Sequence, residues 1–237
     1  MGPFKIGLAL LSAAIVTACC DSPRATDIRA KELAGWVVDI VAPGCIWYNY
    51  TGYYSPTGSN QTINVLEVDS SSGEYYLEVV HRAEADSLSA FPARAGAFAG
   101  INVSFFEPDV SFIKVDGRLW REVTLTEDHV RFWKHEGAFS HVPATGRMAI
   151  GYGSNEEYLA SGYPTVLSGA PMLIDDDNPV GETFADNPDS VDIRKPDYED
   201  LRRHQGVRHP RVALALSGDG RAYLVTVDRR WAGDYAH

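Results

Sequence analysis

Cysteine is scarce in this sequence, with three in 237 residues, and positive charge is outnumbered, 21 Lys and Arg standing against 32 Asp and Glu for a net charge of −11. The first shortage excludes a disulfide-dense scaffold, which packs many cysteines into a short secreted chain. The second argues against nucleic acid as a partner, because a phosphate backbone rewards a basic surface. The seven histidines show no metal-ligand spacing, so neither a metal nor another cofactor is expected. Long apolar runs are missing too. The most apolar stretch, Ile6 to Ala18, is about 13 residues long, too short to cross a bilayer core of ~30 Å as a helix.

What is present suits a globular protein: 45% hydrophobic and 11% aromatic residues can build one sizeable core. Residues 1–18, with Lys5 ahead of the apolar stretch, have the anatomy of a signal peptide. Val16-Thr17-Ala18-Cys19 resembles the lipobox of bacterial lipoproteins, in which the cysteine is lipidated and becomes the mature N-terminus. Cys19 is therefore the expected lipidation site, and the expected location is the bacterial cell envelope, extracytoplasmic and lipid-anchored to the membrane. An ordinary signal cut nearby is the plainer alternative. Losing residues 1–18 removes Lys5 alone, leaving 20 basic against 32 acidic residues, a balance of −12. Cys20 then falls in a polar tether, residues 19–35, so no structural disulfide to Cys45 is expected.

From residue 36 onward, strand-like runs dominate. "INVLEVD" (Ile63 to Asp69) and "EYYLEVVH" (Glu74 to His81) alternate apolar and polar positions around a Ser-Gly turn, which predicts a hairpin. "SFIKVDGRLWREVTL" puts Asp116-Gly117 between two alternating runs, a two-residue hairpin signal. "HVRFW" and "RMAIGY" predict further strands, while "SLSAFPARAGAFAG" has helix-compatible spacing broken by Pro92. The acidic stretch from Asp175 to Asp200 holds three of the 13 prolines and predicts a long exposed loop with a helical turn near Tyr198 to Arg203. "IGYGSN" lacks the strand-then-helix context of a phosphate loop. The fold class is α+β: a single domain, residues 36–237, built on mostly antiparallel sheet with a few short helices.

The stretch "HPRVALALSGDGRAYLVTVDRRW" (His209 to Trp231) carries charge at its open ends and small residues between. A two-residue turn at Asp219-Gly220 puts Arg211 opposite Asp228, on a face floored by Ala213 and Ala215; the other face, with Leu214, Leu216 and Val225, is core. A carboxylate between Arg211 and Arg230 over small residues suits an anionic ligand, since Arg presents a fork that matches phosphate oxygens. An ordinary cross-strand ion pair accounts for the same spacing.

Several stretches, in order, resemble the phosphodiester glycosidase family. "AGAFAGINVSFFEP" (Ala95 to Pro108) is similar to the family's Ile-Asn-Gly-x-Phe-Phe signature, "FIKVDGRLW" to the segment after it, and "SGAPMLIDDD" to its pre-loop strand. "HPRVALALSGDGRAYLVTVDRR" is similar to the family's His-Pro-Arg-Thr-Ala-Ile-Gly and Asp-Gly-Arg pair. The resemblance implies hydrolysis of a sugar-1-phosphodiester on a glycan or glycolipid. Asp228 and Asn102 are then the catalytic residues, acting in acid/base or charge-stabilising work and in orientation, and Arg211 and Arg230 bind the substrate phosphate. Val103, Val212, Ala215 and Arg229 depart from the family, standing where it has glycine, threonine, glycine and glycine. The family continues with a glycine-rich segment where this chain ends in "WAGDYAH", so the resemblance implies a C-terminally incomplete domain, inactive at this length if that wall is required. The alternative is a non-catalytic surface lipoprotein that binds glycans through the aromatic run "WYNYTGYY" (Trp47 to Tyr54). Asn102 has a plainer account as a strand-end residue bonding local backbone, and Asp116 as a turn residue. The triplets at Asn49, Asn60 and Asn102 match the glycosylation pattern by chance, and Asp175 to Asp177 are a solvated loop.

Overall fold

The computed structural model describes residues 4–10, 35–72, 75–81, 97–105, 109–126, 128, 132–169, 171–180 and 210–228. In chain order the strands are β1 (Phe4–Leu10), β2 (Trp36–Ala42), β3 (Cys45–Tyr54), β4 (Ser59–Asp69), β5 (Tyr75–His81), β6 (Ile113–Val115) and β7 (Arg118–Arg121). They continue as β8 (Gly137–Val142), β9 (Arg147–Gly151), β10 (Thr165–Gly169), β11 (Ile174–Asp175), β12 (Asn178–Pro179), β13 (Arg211–Leu216) and β14 (Arg221–Asp228). With one α-helix among the described residues, α1 (Asn155–Ala160), the protein is predominantly antiparallel β. It divides into two compact units, residues 1–103 with 209–236, and 104–208 with the last residue.

The first unit holds a five-stranded antiparallel sheet in the order β13-β14-β4-β3-β2. Aromatic and β-branched residues fill β3 and β4, as a pleated, half-buried surface favours. Pro56 opens the turn between them and Gly58 closes it in the left-handed region at φ 60°. The most enclosed part is one end of one face, where Cys45, Val68 and Ala222 are fully enclosed beside Leu66 and Leu224, while Ile46 and Ile63 are buried on the other face. Cys45 is a free thiol, pushed up to about 12 by burial and then by the charge of Glu67.

The expected hairpin between Ile63–Asp69 and Glu74–His81 does not form. Both edges of β4 are taken, by β3 and by β14. β5 instead runs parallel to β1, so Phe4–Leu10 lies beside it as a strand. Alternation marks a segment as strand but carries no information on its partner, and a strand's neighbour can come from far along the chain.

The second unit has a five-stranded sheet in the order β7-β6-β10-β8-β9, with every pair antiparallel. Asp116 and Gly117 join β6 to β7 with φ of 51° and 78°, the two positive values a type I′ turn requires. Helix α1 lays Tyr158 onto Phe112, Ala138 and Val166; enclosing side chains such as Phe112 and Val166 is worth about 1.5–3 kcal/mol each. Ser154 and Glu157 form a reciprocal capping box at its start. At its end the buried Lys114 Nζ donates to the Tyr158 carbonyl and the Ser161 hydroxyl, satisfying carbonyls a helix terminus leaves open.

Two local expectations change here. "IGYGSN" does have a strand before it and a helix after it, β9 and α1. The capping box, together with Glu156, makes that helix start acidic rather than anion-seeking. Within "HVRFW", Phe132 begins a 3₁₀ turn running to His135, whereas "RMAIG" is β9 as expected. The acidic loop opens with β11 and β12 around Asp176 and Asp177, both at positive φ. The expected turn at 198–203 and the helical spacing at 87–96 lie outside the described residues.

Candidate functional site

The hairpin of β13 and β14 decides which side chains can share a site. Its loop has three residues, not two: Ser217 N donates to the Arg221 carbonyl at 2.9 Å, and Gly220 N to the Ser217 carbonyl at 3.0 Å. Gly220 stands at φ 86°, and a type I turn followed by a left-handed glycine is the standard three-residue hairpin connection. The register moves by one position, so Arg211 faces Val227, and Asp228 passes to the other face of the ladder. The expected pairing of Arg211 with Asp228 over Ala213 and Ala215 is therefore corrected. Those alanines face Val225 and Tyr223.

Arg211 begins β13 in a row with Val227, Ile63 and Tyr50. Burial there lowers the pKa of its guanidinium. Farther along the same face Glu67 is buried, accepting a 2.8 Å hydrogen bond from the Tyr48 hydroxyl and pairing with Arg221. Arg221 Nε also donates to Asp219 at 3.0 Å. Burial, then the bond to Glu67, holds the Tyr48 hydroxyl well above its usual range. This cluster is satisfied within itself and ties β3, β4 and β14 together.

Asp228 ends β14, exposed, on the face that carries the core at its other end. The row next to it runs across three strands: Asn49 on β3, Asn64 on β4 and Thr226 on β14. Asn64 Oδ1 accepts from Asn49 Nδ2 at 2.9 Å and from Trp47 Nε1 at 3.3 Å, while its Nδ2 donates to Thr226 Oγ1 at 3.3 Å. Thr51 Oγ1 donates to Asn49 Oδ1 at 3.5 Å. Thr51 and Thr62 share the last row of β14 with Asp228, and the β3–β4 ladder continues past it to Tyr53 and Asn60 on the same face. Among the described residues no group of His, Cys, Asp and Glu could hold a metal ion.

These amides and hydroxyls were not singled out as site residues from the sequence, although a signal for them was present. The triplet Asn49-Tyr50-Thr51 puts its polar residues two apart, hence on one face of a strand. The aromatic run around it splits by the same alternation. Trp47 joins the polar face, while Tyr50 packs at 5.5 Å against both Trp36 and Tyr54, so sheet packing accounts for those two tyrosines, whereas Tyr53 is exposed.

Asn102 is exposed in the first unit, at an isolated bridge position. Val103, standing where the family has glycine, is not in the left-handed region; Ser104 is, at φ 69°. Its hydroxyl donates to the Ser168 carbonyl of β10 at 3.1 Å, a long-range bond that ties this loop to the strand. Arg230 and Cys19 lie outside the described residues.

A family model, phosphodiester glycosidase, matches residues 95–234. The match covers more than half of the chain, and the protein belongs to that family. It takes in Asn102, Arg211, Asp228 and Arg230 but begins after β2, β3 and β4. No curated protein and no solved structure matches the chain.

Proposed function

We propose that the protein hydrolyses a sugar-1-phosphodiester on a glycan or glycolipid, working from the sheet face that carries Asp228. Family membership over residues 95–234 is the observation that carries this. Water adds hydroxide to the sugar C1, the C1–oxygen bond to phosphate breaks, and the second proton of water ends on the phosphomonoester or in solvent. The phosphomonoester is a good leaving group, its second pKa being near 6. The demand on the protein is therefore to stabilise positive charge at C1 and accept a proton from water. Asp228 takes that role, Asn102 orients the substrate, and Arg230 meets the phosphate. Arg211, on the opposite face of the ladder, is assigned no contact with the reacting bond.

The test uses the methyl ester of N-acetylglucosamine 1-phosphate and the corresponding glucose and mannose esters, with both products quantified. Release of free sugar and methyl phosphate in equal amounts is expected. Asp228→Asn should lower kcat by about 100-fold or more, the range for losing a positioned acid/base or charge-stabilising group. No hydrolysis of any ester by the full chain would refute the activity. Glycan binding that survives Asp228→Asn without turnover would favour the glycan-binding alternative, which the polar row beside Asp228 also suits.

We further propose that Cys19 carries the lipid anchor at the bacterial cell envelope. Cys19→Ala should move the protein from the membrane to the soluble fraction; unchanged fractionation would refute the anchor.

A further inference from the structure

We propose that the row of Asn49, Asn64 and Thr226, with Thr51 beside it in the neighbouring row, is a subsite for the hydroxyls of a neutral sugar ring, built largely from strands outside the family-matched segment. It rests on the activity proposed above and assigns the sugar half of the substrate to this row.

Four features of the row support it. Positions in the middle of a sheet that holds a core are ordinarily apolar, yet this row carries two amides and a hydroxyl across three adjacent strands. Their mutual bonds fix the amide planes, which is the preorganisation a recognition site needs. Capacity is left over: Asn49 Oδ1 keeps a lone pair, Asn64 Nδ2 a proton, and the Thr226 hydroxyl its own proton. The row has no cation, so it offers nothing specific to phosphate, whereas paired donors and acceptors match vicinal hydroxyls, each of which can both give and accept.

The spacing fits as well. Same-face rows on a strand lie about 7 Å apart, so a pyranose ring reaches from the Asn49–Asn64–Thr226 row to the row that holds Asp228. The hydroxyls far from C1 would meet the amides while C1 lies near the carboxylate. The face is closed and apolar at Cys45, Val68 and Ala222 and open at Thr51 and Asp228, which sets the direction from which a ring enters.

The experiment titrates the full chain, labelled with ¹⁵N, with phosphate-free methyl glycosides of glucose, N-acetylglucosamine, galactose and mannose, and separately with methyl phosphate. The side-chain amide signals of Asn49 and Asn64 and the Trp47 indole N–H should shift saturably with at least one glycoside and stay still with methyl phosphate. Asn49→Ala and Thr226→Val should weaken that binding about tenfold, the cost of leaving a sugar hydroxyl unpaired. Thr226→Ser, which keeps the hydroxyl, should restore it. Shifts with methyl phosphate alone, no shift with any glycoside, or full affinity in both folded variants would overturn the subsite. The two proposals fail separately. Sugar binding at the row without hydrolysis removes the activity only, while hydrolysis with an unchanged kcat/KM in Asn49→Ala removes the subsite only.

Discussion

His141 is enclosed between Thr165 and Met148 in the second unit, and neither ring nitrogen has a hydrogen-bond partner among the described residues. Phe139 stacks on it with ring centroids 6.0 Å apart. Burial lowers its pKa from the usual 6.5 to about 4, so between those values the unfolded chain binds a proton that the folded chain refuses. Stability from this residue is intact above the unfolded pKa and falls as the pH drops through the window. It levels off below the folded pKa, after a total loss of about 3 kcal/mol. Replacing His141 with Leu should therefore remove about 2 kcal/mol from the difference in stability between pH 7 and pH 5, measured by urea unfolding. A variant with the same pH dependence as the parent would contradict the buried neutral ring.

At the scale of the element, the two Asp-Gly pairs of the sequence behave differently, and the reason is local. Asp116-Gly117 has no other glycine beside it and forms the two-residue turn that its flanking alternation predicts. A Cβ at Gly117 would meet nothing within 4 Å, so Gly117→Ala should cost only the left-handed backbone term, about 1–2 kcal/mol, and Gly117→Asn less. Equal denaturant midpoints for Gly and Ala would show that the turn is not type I′. Asp219-Gly220 follows Gly218, and the extra glycine admits a three-residue loop that changes the face of every residue on one strand relative to the other. The positions of β4, β5, β6, β7, β9, β13 and β14 were legible, as was the family through its ordered motifs, whereas β2 and β8 were not and Phe132, inside an expected strand, begins a 3₁₀ turn. The partner of Ile63–Asp69 was not, because β14 arrives from the far end of the chain. The polar row was hidden for the same reason: Asn64 and Thr226 become neighbours only through that long-range pairing.

Across the whole molecule, the family match begins at residue 95, yet its strand β14 is hydrogen-bonded to β4, which precedes it. The matched segment and the strands outside it therefore share one continuous face. Everything assigned to that face depends on one register, in which Asp228 stands with Thr226 and Asn64 and Arg211 does not. Cysteine pairs read that register directly. In Val212→Cys with Thr226→Cys the two residues are directly opposite and on one face, close enough for a disulfide. In Val212→Cys with Val227→Cys they are on opposite faces. Mild oxidation followed by intact-mass measurement should show the loss of two hydrogens in the first variant and none in the second. The reverse result, a cross-link between 212 and 227 and none between 212 and 226, would return Arg211 to the side of Asp228 and contradict the site described here.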